Sequence, residues 1–185
     1  RGMTLKAGDE VISLSILHRV NATPEQRENY LKFAPWKAER EGVPDDQALF
    51  DEMVTREQFI LTVCANGYGK LSSAYDYRRT NRGGQGITNI DNIARNGQVV
   101  ASFAAAKGHQ LMLVTNQAKV IRTTLGSLRV ISRNSAGVKL FDVGKNEHVV
   151  DAEMDVRGPE DVPAIAPNDD ADTSDDSAAG PVDGA

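Results

Sequence analysis

Arg82-Gly83-Gly84-Gln85-Gly86-Ile87 returns later in the chain as Arg133-Asn134-Ser135-Ala136-Gly137-Val138, with the matched arginines and the matched glycines 51 positions apart. The likeness continues on both sides. Upstream, Leu61-Thr62-Val63-Cys64-Ala65-Asn66-Gly67 corresponds to Met112-Leu113-Val114-Thr115-Asn116-Gln117-Ala118. Downstream, Asn96-Gly97-Gln98-Val99-Val100 corresponds to Asn146-Glu147-His148-Val149-Val150. A shortened third copy opens the chain, where Arg1-Gly2-Met3 leads to Gly8-Asp9-Glu10-Val11-Ile12. Each copy alternates short β-branched runs with Asn-Gly, Gly-Gly or Gly-Asp pairs, the pattern of strands joined by tight turns. A period near 50 with about four strands per unit predicts an all-β, propeller-like array of antiparallel blades. Because one such unit cannot bury both faces of its own sheet, neighbours must stack.

The repeat is interrupted and then abandoned. Residues 17–58 turn helical in character. Thr23-Pro24-Glu25-Gln26 supplies a capping hydroxyl, a proline at the first helical position and a glutamine three residues after the cap. Gly42-Val43-Pro44 breaks that helix, and Asp45 to Glu57 predicts a second, with Trp36 anchoring the segment by packing. After Val156 the sequence becomes rich in Pro, Ala, Asp and Ser, a composition that cannot offset its ordering entropy and predicts disorder. The divisions expected are therefore 1–16 as the end of an upstream blade, 17–58 as a helical insertion, 59–107 as a complete blade, 108–156 as the last blade and 157–185 as a disordered acidic tail.

Charge follows these divisions. The 185 residues sum to −5, yet residues 60–139 hold eleven Lys/Arg against Asp76 and Asp91, while residues 140–185 hold thirteen Asp/Glu against Lys145 and Arg157. A basic body beside an acidic tail points to a polyanion-binding surface with a tethered competitor, and a solubilising tail is the alternative. Cys64 is the only cysteine and lies in an apolar run, so a disulfide framework and a CxxC metal motif are excluded and a buried thiol is expected. No apolar stretch reaches the ~18 residues of a membrane span. The opening Arg1-Gly2-Met3-Thr4 has no initiator methionine and no signal pattern, so the chain reads as a piece of a longer cytosolic protein.

No catalytic constellation emerges. His18, His109 and His148 show no ligand spacing, and nucleotide-binding, serine-hydrolase and zinc-protease patterns are all missing. The basic body suits phosphate instead. Arg78, Arg79 and Arg82 run into Gly83, Gly84 and Gly86, and Lys119, Arg122, Arg129 and Arg133 precede Gly137. Guanidinium forks match phosphate oxygens, and glycines let backbone N–H groups approach them. If the motif recurs once per blade on one face, its cations suit the backbone of duplex DNA bent around them, without sequence readout. A solvated basic face is the plainer alternative. Tyr68, Tyr75 and Tyr77 are expected to pack between blades.

Several of these blocks resemble the C-terminal domain of the bacterial DNA gyrase A protein. They are Val63-Cys64-Ala65-Asn66-Gly67-Tyr68-Gly69-Lys70, the loop from Arg82 to Gly86, Ala94-Arg95-Asn96-Gly97-Gln98-Val99-Val100, Ile131-Ser132-Arg133-Asn134-Ser135-Ala136-Gly137-Val138, and the opening Arg1-Gly2-Met3-Thr4-Leu5 with Gly8-Asp9-Glu10-Val11. The resemblance covers residues 1–16 and 59–156. It implies a β-pinwheel of about six four-stranded blades that wraps double-stranded DNA around a basic rim. It further implies a place in a type II topoisomerase that supercoils DNA negatively with ATP hydrolysis. That enzyme is an A2B2 heterotetramer, in which the gyrase B protein and a second gyrase A protein are the partners. Its expected setting is the bacterial cytoplasm at the nucleoid, with no membrane partner. No cofactor is expected in this chain; ATP and Mg2+ are implied for the assembly through gyrase B, and the cleaving tyrosine lies in the N-terminal region of gyrase A. The family's hallmark box, Gln-Arg-Arg-Gly-Gly-Arg/Lys-Gly, belongs to its first blade, and Arg82 to Gly86 is a degenerate echo of it. The insertion at 17–58 lies outside the family pattern, and its acidic balance argues against DNA contact there. The C-terminal domain of the corresponding topoisomerase IV protein and a propeller-type protein-interaction scaffold are the alternative readings.

Overall fold

The computed structural model describes residues 2–38, 40, 42–91, 93–106 and 108–155. The acidic tail expected at 157–185 lies outside the described residues. Two helices come first, α1 (Pro24–Phe33) and α2 (Gln47–Thr55), followed by seven strands: β1 (Phe59–Cys64), β2 (Tyr68–Ser73), β3 (Val99–Ala105), β4 (Gln110–Thr115), β5 (Val120–Thr124), β6 (Val138–Lys139) and β7 (Val149–Asp155). The strands form two antiparallel sheets, ordered β3-β1-β2-β6 and β5-β4-β7.

The 51-residue offset is preserved in three dimensions. β1 and β2 form a hairpin in register Leu61↔Leu71, flanked by β3; β4 and β5 form a hairpin in register Leu113↔Ile121, flanked by β7. Both central strands carry a bulge at the corresponding place, between Val63 and Cys64 and between Val114 and Thr115. Each hairpin turns through a residue in the left-handed region, Gly67 (φ 78°) and Ala118 (φ 58°).

The four strands expected of each repeat are not all its own. The fourth strand of the first sheet, β6, comes from the second repeat and pairs with β2 through Tyr68↔Lys139 and Gly69↔Val138. The exchange demands glycine where the backbones meet. Gly137 has φ 83°, and a Cβ there would lie 2.6 Å from the Gly69 carbonyl oxygen. Exchange also explains burial: all of β1 and nearly all of β2 are buried on both faces, whereas β4 alternates buried and half-buried residues and β5 alternates exposed and half-buried ones.

A single core links the sheets. Phe59, Leu61, Val63, Leu71, Leu111, Leu113, Leu125 and Val149 are buried together, with β3 packed against β7. Cys64 is fully buried, and that burial raises its thiol pKa. The helical segment has its own smaller core of Tyr30, Ala34 and Met53, and Trp36 packs against both cores. α1 begins as its sequence predicts. The Thr23 hydroxyl accepts from the Gln26 N–H and the Gln26 side chain accepts from the Thr23 N–H, with Pro24 at the first position. α2 is capped by Asp46, which accepts from the Leu49 N–H.

Candidate nucleic-acid interface

The two Arg-Gly loops share a sequence pattern and have different fates. Residues 131–137 turn inward over the polar face of the first sheet. Lys70, on β2, is fully buried beneath them. Its ammonium donates to the carbonyl oxygens of Ser132 (3.1 Å), Ser135 (3.4 Å) and Arg133. Buried Asn96 donates from Nδ2 to the Ala136 carbonyl (2.8 Å), and Arg95 donates to that of Gly137 (3.3 Å) while lying 4.9 Å over the Tyr68 ring. Five successive or near-successive carbonyls are thus taken up by cations and an amide of the first repeat. Burial pulls the Lys70 pKa from 10.5 to about 8, with Asp76 opposing that shift.

Arg133 is drawn into the same knot. Its backbone N–H donates to Asp76 Oδ2 (2.6 Å), its Nε donates to the Asp76 carbonyl (3.2 Å), and its Nη1 donates to the Thr88 carbonyl. A guanidinium that bridges two main-chain carbonyls is a clasp between segments. Arg133 and Arg82 are therefore not equivalent cations on one face, as their matched sequences led us to expect. The reason is physical: the 131–137 loop has a repeat packed against it that supplies Lys70, Asp76 and Asn96, and main-chain carbonyls recruit every nearby donor that burial would otherwise leave unsatisfied.

The loop at residues 82–86 is open. Its backbone meets residues 2–4, with the Gly83 N–H donating to the Gly2 carbonyl (2.7 Å), the Thr4 N–H to the Gly84 carbonyl (2.9 Å) and the Thr4 hydroxyl to the Gly83 carbonyl (2.7 Å). A Cβ on Gly83 would meet nothing within 4 Å, and one on Gly84 nothing closer than 3.7 Å. Gly84 and Gly86 are exposed, as are Arg78, Arg79 and Arg82. These three arginines and exposed Arg129 have no hydrogen-bonded or ion-paired side chain among the described residues. Lys119 and Arg122 are differently placed. Lys119 pairs with buried Glu147 (2.8 Å) and Arg122 with buried Asp155 (3.2 Å), each with about half of its side chain still in solvent. Lys119, the Thr115 hydroxyl and the Gly144 N–H hold the Glu147 carboxyl down at about 2. Among the described residues no group of three His, Cys, Asp or Glu side chains converges to hold a metal, and no helix is long and apolar enough to cross a membrane.

The tyrosines are anchors. Tyr75 packs edge-on to Tyr30 (5.1 Å) and donates to the Met53 carbonyl (3.1 Å), fastening the helical segment to the turn that launches Arg78 and Arg79. Tyr77 donates to Asn89, whose amide reaches Thr62 on β1 (2.8 Å). Sequence reasoning passed over Lys70, Asp76 and Asn96. The available signal was a lysine between Gly69 and Leu71 on a strand otherwise destined for burial.

The chain matches the family model described as DNA gyrase C-terminal domain, beta-propeller, over residues 1–18, 58–105 and 109–154, which leaves the helical segment outside the match. It is 43% identical over 172 residues to the DNA gyrase A protein of Granulibacter bethesdensis, covering 80% of this chain and 18% of that protein. It is 42% identical over 166 residues to the DNA gyrase A protein of Rickettsia prowazekii, covering 83% of this chain and 18% of that one. A solved structure of a DNA gyrase A C-terminal domain superposes with a TM-score of 0.49 at 25% identity, over 52% of this chain and 33% of the other. The chain thus spans less than a fifth of the length of the curated relatives, and on the family match it belongs to the DNA gyrase C-terminal domain, beta-propeller family.

Proposed function

We propose that this chain is a DNA-wrapping module of a DNA gyrase A protein, and that its open Arg-Gly loop holds the phosphate backbone of duplex DNA. The carrying observation is the contrast in donor use: Arg78, Arg79, Arg82 and Arg129 are exposed with no protein partner among the described residues, whereas Arg133 of the inward loop and Lys70 beneath it donate to main-chain carbonyls. Unpaired guanidinium groups beside glycines that leave room for close approach form a phosphate surface that needs no base contact. They lie in the segments that follow β2 and β5 at corresponding places in the two repeats, and their contact energy can offset the cost of bending DNA.

In this reading the parent protein acts in a type II topoisomerase that introduces negative supercoils, built from two copies each of gyrase A and gyrase B, in the bacterial cytoplasm at the nucleoid. Strand cleavage, ATP hydrolysis and its Mg2+ belong to parts of the assembly outside this chain. The wrapping module supplies binding and DNA geometry. Lys119, Arg122 and Arg133 answer first to Glu147, Asp155 and Asp76. The phosphate contacts are therefore assigned to Arg78, Arg79, Arg82 and Arg129, with Gly83, Gly84 and Gly86 leaving room for approach. The test is a salt titration of the full-length protein on duplexes of unrelated sequence. Four phosphate contacts from this chain would contribute roughly −4 to the slope of log K against log salt, equally for every duplex. Salt-insensitive binding, or binding confined to one sequence, would contradict the reading.

A further inference from the structure

Two cations of the helical segment, Arg27 and Lys37, border clefts against the sheets, which its net acidity conceals. Glu25, Asp45 and Asp46 border the small crevice between α1 and α2. Arg27 and Lys37 instead border two clefts facing the sheets. One cleft, of about 210 Å3, lies between Arg27 on α1 and Arg78, with Leu31, Tyr75 and Asp76 between them. The other, of about 520 Å3, lies between Lys37 and Arg129, with Trp36 along its wall. Leu31 and Asp76 border both clefts, so the two lie side by side, a trough in two parts with Arg27 and Arg78 on one and Lys37 and Arg129 on the other.

The four cations, Arg27, Lys37, Arg78 and Arg129, have no side-chain hydrogen bond or ion pair among the described residues. Two carboxylates, Asp76 and Glu28, also border these clefts, and the four cations exceed them by two. Asp76 Oδ2 accepts from the Arg133 N–H at 2.6 Å, and Glu28, which borders the smaller cleft, pairs with Lys32 at 3.6 Å. Tyr75, inserted beneath Tyr30, fixes α1 against the turn that carries Arg78, so the Arg27–Arg78 spacing is set by packing. Cations spread along a trough fit a linear polyanion better than a compact one, and the trough begins at the arginines of the open loop.

We infer that the helical segment is part of the DNA track. Duplex phosphates engaged at Arg79 and Arg82 continue past Arg78 and Arg27 and over the trough to Lys37 and Arg129. This inference rests on the DNA-wrapping reading and adds two contacts, Arg27 and Lys37, from a segment outside the family match. The same salt titration of the full-length protein tests it, with Arg27→Gln/Lys37→Gln and with Arg56→Gln as control, since Arg56 pairs with Glu52 on α2. The double variant should flatten the slope by about 2, so that between 50 and 200 mM salt the wild type loses about tenfold more affinity than the variant. Arg56→Gln should leave the slope unchanged, and the charge-preserving Arg27→Lys/Lys37→Arg should restore it. A wild-type slope unmoved by the double variant would overturn this inference alone, leaving the trough to an acidic protein segment. An equal effect from Arg56→Gln would overturn it as mere net charge. A wild type with no salt slope would overturn the DNA reading and this inference together.

Discussion

The two repeats carry nearly the same strands and turns, yet among the described residues one is enclosed and the other is half open. In the first, β1 and β2 are buried on both faces, with the 131–137 loop over Lys70 and Asn89 against Thr62, and β2 is paired on its outer edge by β6. In the second, β5 is the outermost strand of a three-stranded sheet among the described residues, and Val120 on it is exposed. The same difference appears at the turns. The first contains Gly67, buried beneath Phe141; the second contains Ala118, in the same left-handed region but exposed. What a repeat motif does depends on its neighbour. The Arg-Gly loop that lies over Lys70 and Asn96 is a structural clasp, whereas among the described residues the one that meets residues 2–4 keeps its arginine side chain exposed.

The comparison can be broken at its most crowded point. Gly137→Ala combines a strained left-handed conformation with a Cβ lying 2.6 Å from a main-chain oxygen. It should cost on the order of 3–5 kcal/mol or prevent folding, while Gly84→Ala in the open loop should stay within about 0.5 kcal/mol. Denaturant unfolding of the two variants checks this, and equal costs would show that the loops are not differently enclosed.

Removing the clasp's central donor should have the next largest effect. Lys70→Met leaves the carbonyls of the 131–137 loop short of partners and should cost on the order of 2–3 kcal/mol, with faster hydrogen exchange in β6. Its pH dependence has a defined sign. The folded Lys70 titrates near 8 and the unfolded one near 10.5, so between those values the unfolded chain binds more protons and the wild type gains stability as pH rises. The deficit of Lys70→Met, measured by unfolding in steps from pH 7 to 10, should therefore grow above pH 8. A deficit constant with pH would place Lys70 outside the buried knot.

The turns offer a smaller and reciprocal test. Ala118→Gly relieves a left-handed alanine in an open turn and should stabilise by about 0.5–1 kcal/mol. Gly67→Ala introduces the same strain and drives a Cβ to 2.6 Å from the Phe141 carbonyl oxygen, so its cost should exceed that gain severalfold. Melting temperatures of both variants would read the asymmetry directly.

Much of this architecture is visible in the residues. The 51-residue offset marks both hairpins and their bulged partners because turn chemistry and strand alternation are local. Thr23-Pro24-Glu25-Gln26 announces the start of α1 for the same reason. The strand exchange is hidden, since Gly137-Val138-Lys139 looks like a strand end in either repeat and only packing decides which sheet receives it. The fate of Arg133 is hidden too. Its acceptors are main-chain carbonyls of Asp76 and Thr88, which carry no signature in sequence. The sorting of cations in the helical segment is equally invisible, because α1 and the turn after it must fold before Arg27 and Lys37 come to face Arg78 and Arg129.

The most direct test sets Arg82→Gln beside Arg133→Gln in the full-length protein, with salt-dependent duplex binding and unfolding stability measured for each. Arg82→Gln should flatten the salt slope by about 1 with stability unchanged, and Arg133→Gln should lower stability by about 1–3 kcal/mol with the slope unchanged. Equal effects on the slope, or a stability loss at Arg82 in place of Arg133, would contradict the assignment of one loop to DNA and the other to the fold.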